Sequence, residues 1–375
     1  MVSLVMLAII LGCAAVLYLK GTLTQGLALI FNALFASFVA CAFFETLATM
    51  LAKYSAAIAA WAQMICFLLL FVLALAILQT IVMQIGKEKV ELGLWPERIG
   101  RVVCGIILGY IITGNLLLAL ATAPLPQSYP YARFNERNID PAQPNKPMLS
   151  PDGFIAGFFG TVSKGSFAAL GKPRSFAVLH ANYVDQLHLN RHKKDVPAAT
   201  TKPALSVSDK AVWEAPSSLR DTEGQALPAR SGEKLMLVRV GIRKNALQDA
   251  GKFTLSQLRV VCVPKADADD PLAGQGQAVY PIGYIGAKGR LEFKPLHEVM
   301  SIQSSDKEKK AIEIDFAFYV PTPMVPTLLG FKQNNLELLS APVAEEEAPQ
   351  PISFDASFKP KENDSEAAPS RDGSR

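Results

Sequence analysis

Apolar residues are spread unevenly along the chain. Long runs almost free of charge fill the first third, and a period-two alternation takes over from residue 233. Residues 2–19 hold no Asp, Glu, Lys or Arg, and roughly 18 to 20 apolar residues suffice to cross a hydrocarbon core of about 30 Å. Residues 26–44, 58–85 and 102–121 repeat the pattern, so four membrane spans are predicted. A cleaved signal segment ending near Gly12-Cys13 is the rival for the first run; no Lys or Arg precedes it and further spans follow, which disfavours cleavage. Between the third and fourth runs, residues 86–109 read GKEKVELGLWPERIGRVVCGIILG. Four basic residues (Lys87, Lys89, Arg98, Arg101) and three acidic ones (Glu88, Glu91, Glu97) mark a turn at the membrane surface. Trp95 and Pro96 fit an interfacial ring and a helix restart. Gly105 and Gly109 form a small-xxx-small pair, predicted to sit at a helix-helix contact.

Asn32, Gln63, Gln79 and Asn115 lie within or near the spans. An amide facing lipid is costly, so they are expected to face one another inside the bundle. A polar path for a solute is the functional alternative. No Asp, Glu, Lys or Arg sits in mid-span and no broken spans occur in mirrored positions, which argues against an ion-coupled transporter.

After the prolines at 124, 126 and 130 the pattern fades. Residues 124–232 read as a Pro- and Ser-rich linker with one exception, residues 151–170, where Phe154, Phe158, Phe159 and Val162 recur at helical spacing. A short amphipathic helix on the membrane face or capping the bundle is predicted there. The basic cluster at 191–194 reads as solvated linker charge, and 198–230 reads as disordered. From 233 to 340 alternation returns: Ile312, Ile314, Phe316, Phe318 and Val320 share one face of a strand, with Glu313 and Asp315 on the other. Residues 235–243, 255–263 and 279–285 are further strand candidates. A C-terminal all-β, sandwich-like domain over 233–340 follows, then an acidic disordered tail over 341–375. The predicted fold class is a four-span α-helical membrane bundle over 1–123 plus this β domain.

Composition narrows the function classes. The net charge of +4 over 375 residues, without a basic stripe interleaved with aromatics, points away from nucleic acid. Of the five cysteines, Cys13, Cys41, Cys66 and Cys104 fall in apolar runs and Cys262 in the polar part; no CxxC or metal-ligand spacing occurs, so no metal and no cofactor is expected. His188 and His192 are four apart, but no Glu stands beside the first as a zinc protease requires. Ser304 and Lys307 match Ser-x-x-Lys by chance, without a supporting second motif. Gly-x-Ser-x-Gly, a P-loop and a dinucleotide fingerprint are all missing. No catalytic residue is assigned and the chain is not expected to be an enzyme.

The first 125 residues resemble the colicin V production (CvpA) family of four-span bacterial inner-membrane proteins. The resemblance rests on a short first span followed by Lys20 and Gly21, a long middle pair, Gly93-Leu94, and the acidic-Arg pair Glu97-Arg98 leading into Gly105 and Gly109. Where the family shows a glycine four positions after its acidic residue, this chain has Arg101, with Gly100 one earlier. What the resemblance implies is a non-enzymatic protein linked to toxin production and envelope upkeep. Lys20, Lys87, Lys89, Arg98 and Arg101 outnumber Lys53, Arg133 and Arg137 on the other side, so the positive-inside rule puts the two short turns in the cytoplasm and the β domain outside it. Two functions stay open: a scaffold presenting the β domain to envelope proteins, or an oligomeric channel or transporter for a small solute. The expected partners are the lipid bilayer, envelope proteins and copies of the same chain.

Overall fold

The computed structural model describes residues 2–52, 56–85, 93–135, 138–164, 174–191, 193, 196–200, 202–247, 251–302 and 310–354. The apolar runs form helices α1 (Val2–Lys20), α2 (Leu23–Ala52), α4 (Ala62–Ile85) and α5 (Leu94–Thr122), with one turn, α3 (Ala56–Ala59), before α4. All four long helices have the length and hydropathy to cross a membrane. The shortest, 19 residues, is about 28 Å long. The chain is a multi-pass, membrane-embedded protein. Within the bundle α1 packs on α5, α2 on α4, and α2 also on α5. The inner surface of α2 is paved with Ala33, Ala36, Ala40 and Ala48, each at most 4% exposed, which lets its neighbours approach closely. The second span outruns the sequence expectation. It does not stop at Phe44 but stays helical to Ala52, with Ala48 still buried in the bundle.

The described residues between 124 and 232 are not a free linker. They carry α6 (Pro151–Ser163), α7 (Phe176–Leu179), α8 (Tyr183–Asn190) and strands β1 (Leu205–Ser206) and β2 (Val212–Glu214). The helix α6 takes the start of the predicted 151–170 stretch; 165–173 lie outside the described residues. It crosses α5 at Gly114, whose absent side chain leaves room for the Pro151 backbone and Ile155. Gly114 is eight residues before Thr122, about 12 Å down the helix. Phe154 contacts Tyr110 of α5 at 5.4 Å between ring centroids, and Phe158 contacts Phe38 of α2 at the same distance. Disorder over 198–230 is likewise overturned: Leu205 and Ser206 pair with Ile242 and Gly241, Val212–Glu214 pair with 236–238, and Trp213 is 1% exposed. A polar composition averaged over the window hides the few large side chains that carry the burial.

The β domain continues with β3 (Glu233–Arg243), β4 (Lys252–Thr254), β5 (Leu258–Pro264), β6 (Gln277–Val279), β7 (Gly283–Ile285), β8 (Leu291–Phe293), β9 (Val299–Ser301), β10 (Ala311–Pro321), β11 (Met324–Phe331) and β12 (Asn335–Leu338). One sheet runs β1-β3-β10-β7-β8 with β2 beside β3, a second runs β12-β11-β5-β6, and β4 and β9 form a pair. Val238, Val240, Phe316 and Phe318 from the first sheet meet Leu258, Val260, Cys262 and Phe331 from the second in one core, the two-layer sandwich expected. Beyond Glu313, which is exposed, the other face of β10 is not solvent-facing. Ala317 and Leu237 pack under Trp213, Leu219 and Leu291, and Asp315 is fully buried against Arg239 (2.7 Å). The predicted strand 279–285 divides: Pro281 breaks it, so β6 belongs to one sheet and β7 to the other. Residues 341–354 are also ordered against the sandwich: the Val343 N–H donates to the Val212 carbonyl (2.9 Å), the Phe354 N–H to that of Ile285 (3.0 Å). The remaining tail, 355–375, lies outside the described residues.

Candidate functional site

Of the residues that the family resemblance singled out, Lys20, Gly21, Gly93, Glu97 and Arg98 lie at the short turns, and Gly105 and Gly109 lie within α5. Gly105 and Gly109 face α1: a Cβ on Gly109 would stand 2.6 Å from the Ile10 Cα, and one on Gly105 would meet the Ala14 backbone. Glu97 reaches the start of α2, where it accepts the Leu23 N–H (2.9 Å) while Arg101 holds it from the next turn (2.8 Å). It thereby serves one of the four unpartnered N–H groups at that helix start. Gly100 sits against the Leu23 side chain. The Gly21 N–H closes α1 on the Leu17 carbonyl (3.0 Å), Gly93 has φ 90° ahead of α5, and Lys20 and Arg98 are exposed. Lys87 and Lys89 lie outside the described residues.

The amides divide differently from expectation. Asn32 donates to Gln79 (3.1 Å), but Asn115 donates to the Ser37 hydroxyl (2.8 Å) and to the Ile111 carbonyl (2.9 Å) instead of to another amide. Gln63 stands apart from them. It lies at the top of α4 in a small cleft shared with Thr200, Gln333 and Asn334 of the β domain's loops.

What sequence reading missed is the junction between bundle and sandwich. Arg133, in the segment after α5, donates through Nε to Asp185 of α8 and through Nη1 to the Tyr131 hydroxyl (2.8 Å); Tyr131 in turn donates to Asp152 at the start of α6. Burial alone pulls the Arg133 guanidinium down, yet Asp185 and Tyr131 hold it above its ordinary value. Burial and Asp152 push the Tyr131 phenol up. Arg191, just past α8, donates to the Leu120 and Ala123 carbonyls (3.2 and 3.3 Å), capping the C-terminus of α5. Burial draws it down to about 10. His188 lies against the Tyr131 ring (5.0 Å between centroids), and burial with Arg191 and Arg133 nearby holds it neutral, well below its ordinary value.

The sandwich docks on this layer through its second sheet. Val261, Val263 and Leu328 pack on Val178 and Ala181 around α7. Ser256 and Gln257 donate to the Leu189 and Asn190 carbonyls at the end of α8 (3.1 and 2.8 Å). His180 meets Glu45 of α2 at 3.3 Å. Arg259, 1% exposed, donates to the Lys332 carbonyl (3.1 Å), and burial lowers it to about 10. A lone charge in the apolar run LRVVCV was a legible sign of this position; Arg133 and Asp185, 52 residues apart, carried none. A cleft of about 940 Å³ opens between residues 138–146 and the edges of β6 and β8, and a second of about 340 Å³ lies between α6 and α7; Arg133, Asn182 and Asp185 border both. Among the described residues no group of three or more His, Cys, Asp or Glu side chains is placed to hold a metal. His192, Ser304 and Lys307 lie outside the described residues.

Comparison with protein-family models, with curated proteins and with solved structures finds no match for this chain.

Proposed function

We propose that this protein is a non-enzymatic membrane scaffold of the bacterial inner membrane, of the kind the colicin V production family resemblance implies, holding its β-sandwich at the extracytoplasmic surface for other envelope proteins. The observation that carries this reading is the junction. The segment between bundle and sandwich buries Arg133, Asp185, Arg191 and Arg259, and ties α5, α6, α8 and the second sheet together. A domain fastened this way is held at a set height and orientation, which suits presentation more than reach. The channel reading finds less support, because Asn32 and Asn115 spend their amide donors on Gln79, Ser37 and Ile111. The orientation rests on Lys20, Arg98 and Arg101 at the opposite end of the bundle, counted with Lys87 and Lys89.

The test is in vivo photocrosslinking from Lys210 and Lys288 on the sandwich surface. Discrete envelope proteins trapped from both positions are expected. No trapped protein, together with solute conductance by the purified protein in vesicles, overturns the scaffold in favour of the channel. Reporter fusions after Gln127 and Gln84 check the orientation: cytoplasmic activity at the first and extracytoplasmic activity at the second invert it.

A further inference from the structure

From the open side of the sandwich we infer that β6 is a docking edge for an extended peptide segment of a partner protein, bound by strand addition. The inference rests on the scaffold reading and names the partner's chemistry. β6 ends its sheet: among the described residues it pairs with β5 alone, through Val260–Val279, Val261–Ala278 and Cys262–Gln277. Both of its faces are covered. Ala278 packs with Val178, Ala181 and Val261 on the side of the bundle, and Val279 packs into the sandwich core. The 940 Å³ cleft is lined by all three residues of the strand, Gln277, Ala278 and Val279, and by Tyr280, Pro281 and Ile282, which follow it.

The backbone groups on that edge can be assigned. The Thr327 hydroxyl of β11 donates to the Val261 carbonyl at 3.3 Å, so that carbonyl is turned toward β11 and away from β6. Successive residues of a strand turn their N–H and C=O to opposite sides. Val260 and Cys262 therefore serve β6, and the N–H and C=O of Ala278 point out into the cleft. The opposite wall, residues 138–144, carries Pro141 and Pro144, the Gln143 N–H donates to the Asp140 carbonyl (3.1 Å), and just beyond it the Asn145 N–H donates to that of Arg133 (2.7 Å). Among the described residues it makes no backbone hydrogen bond to β6. Such an arm shields an edge from sheet-to-sheet aggregation without pairing with it. Ile139 and Phe134 close the floor against Tyr280 and Leu296. Phe293, Tyr319, Lys146 and Asp140 also line the cleft. Main-chain hydrogen bonds to Ala278 give such a complex its affinity, and pockets for alternate side chains give it selectivity.

The test uses the full-length protein in lipid nanodiscs. Random peptides of about eight residues, enough to span the strand at ~3.3 Å per residue and run past both of its ends, are displayed and selected on it, and the enriched sequence is synthesised. Saturable binding is expected, with the Ala278 N–H gaining protection from hydrogen exchange. N-methylation of alternate peptide nitrogens in one of the two registers weakens binding about tenfold, the scale of one or two lost hydrogen bonds. Ala278→Pro removes the outward donor at an edge position where proline is tolerated, and the same loss is expected at an unchanged melting temperature. If that variant folds poorly, the N-methylated peptides and the exchange readout decide alone. No enriched peptide, or binding indifferent to both changes, overturns the docking edge. Lys210 and Lys288 do not line this cleft, so crosslinks from them report on the scaffold separately.

Discussion

At the scale of single residues, the bundle depends on positions with no side chain. The backbone of α1 lies where a Cβ on Gly105 or Gly109 would stand, and in lipid close backbone approach is a main source of helix association. Gly105→Leu and Gly109→Leu are each expected to force α1 off α5, lowering the melting temperature in detergent and weakening crosslinks between the two helices. Parental melting and crosslinking in both variants would dismiss the contact. His188 makes the pH prediction. Its folded-state value lies well below the ordinary 6.5, chiefly from burial, so the unfolded chain binds a proton that the folded chain refuses. Stability from this group is full above about pH 6.5 and falls as pH drops below it, by up to about 1.4 kcal/mol per pH unit. The melting temperature should decline from pH 7 to 5, and His188→Phe should flatten that decline. An equal decline in the variant assigns the acid sensitivity elsewhere. Gly105 and Gly109 were visible in the sequence because spacing alone exposes a small-residue pair. The burial of His188 left no such trace, since nothing local announces cover supplied by residues 131–133 and 191.

At the scale of elements, β3 and β10 pair from Glu233–Pro321 to Arg243–Ala311 and form the spine of the sandwich. Their alternation was legible, but it described one face only. The other face needs β2: Trp213, fully buried, covers Leu237 and Ala317; on the core face, Phe354 closes on Tyr284 at 5.7 Å between centroids. A fragment of residues 233–340 lacks both covers and is expected to melt without cooperativity, whereas 196–354 should show strand-type circular dichroism and a single cooperative melt. Trp213→Ala in the longer fragment should cost about 3–5 kcal/mol. Cooperative melting of the shorter fragment would show that the cover is dispensable. Two- and three-residue strands such as β1 and β2 escape sequence reading because their pairing partner is decided more than twenty residues away, at β3.

At the scale of the whole molecule, a bundle and a sandwich share a packed polar layer, so the segment from residue 124 to 200 should behave as structure. In detergent, residues 124–135, 138–164 and 174–191 are expected to resist limited proteolysis as long as the bundle does; early cleavage within them would restore the picture of a loose tether. The sequence by itself determined the membrane class, the four spans, the main strands and the glycine pair. Each of these follows from a periodicity or an uninterrupted apolar length, quantities that neighbours in the chain carry together. Only the tertiary structure decided that the described residues between 124 and 232 fold, that β6 and β7 part into different sheets, and that Ala278 lines a cleft. These outcomes depend on what covers each polar group. Asp185 for Arg133, the end of α5 for Arg191 and β3 for β2 all come from distant parts of the chain, and local composition averages such pairings away.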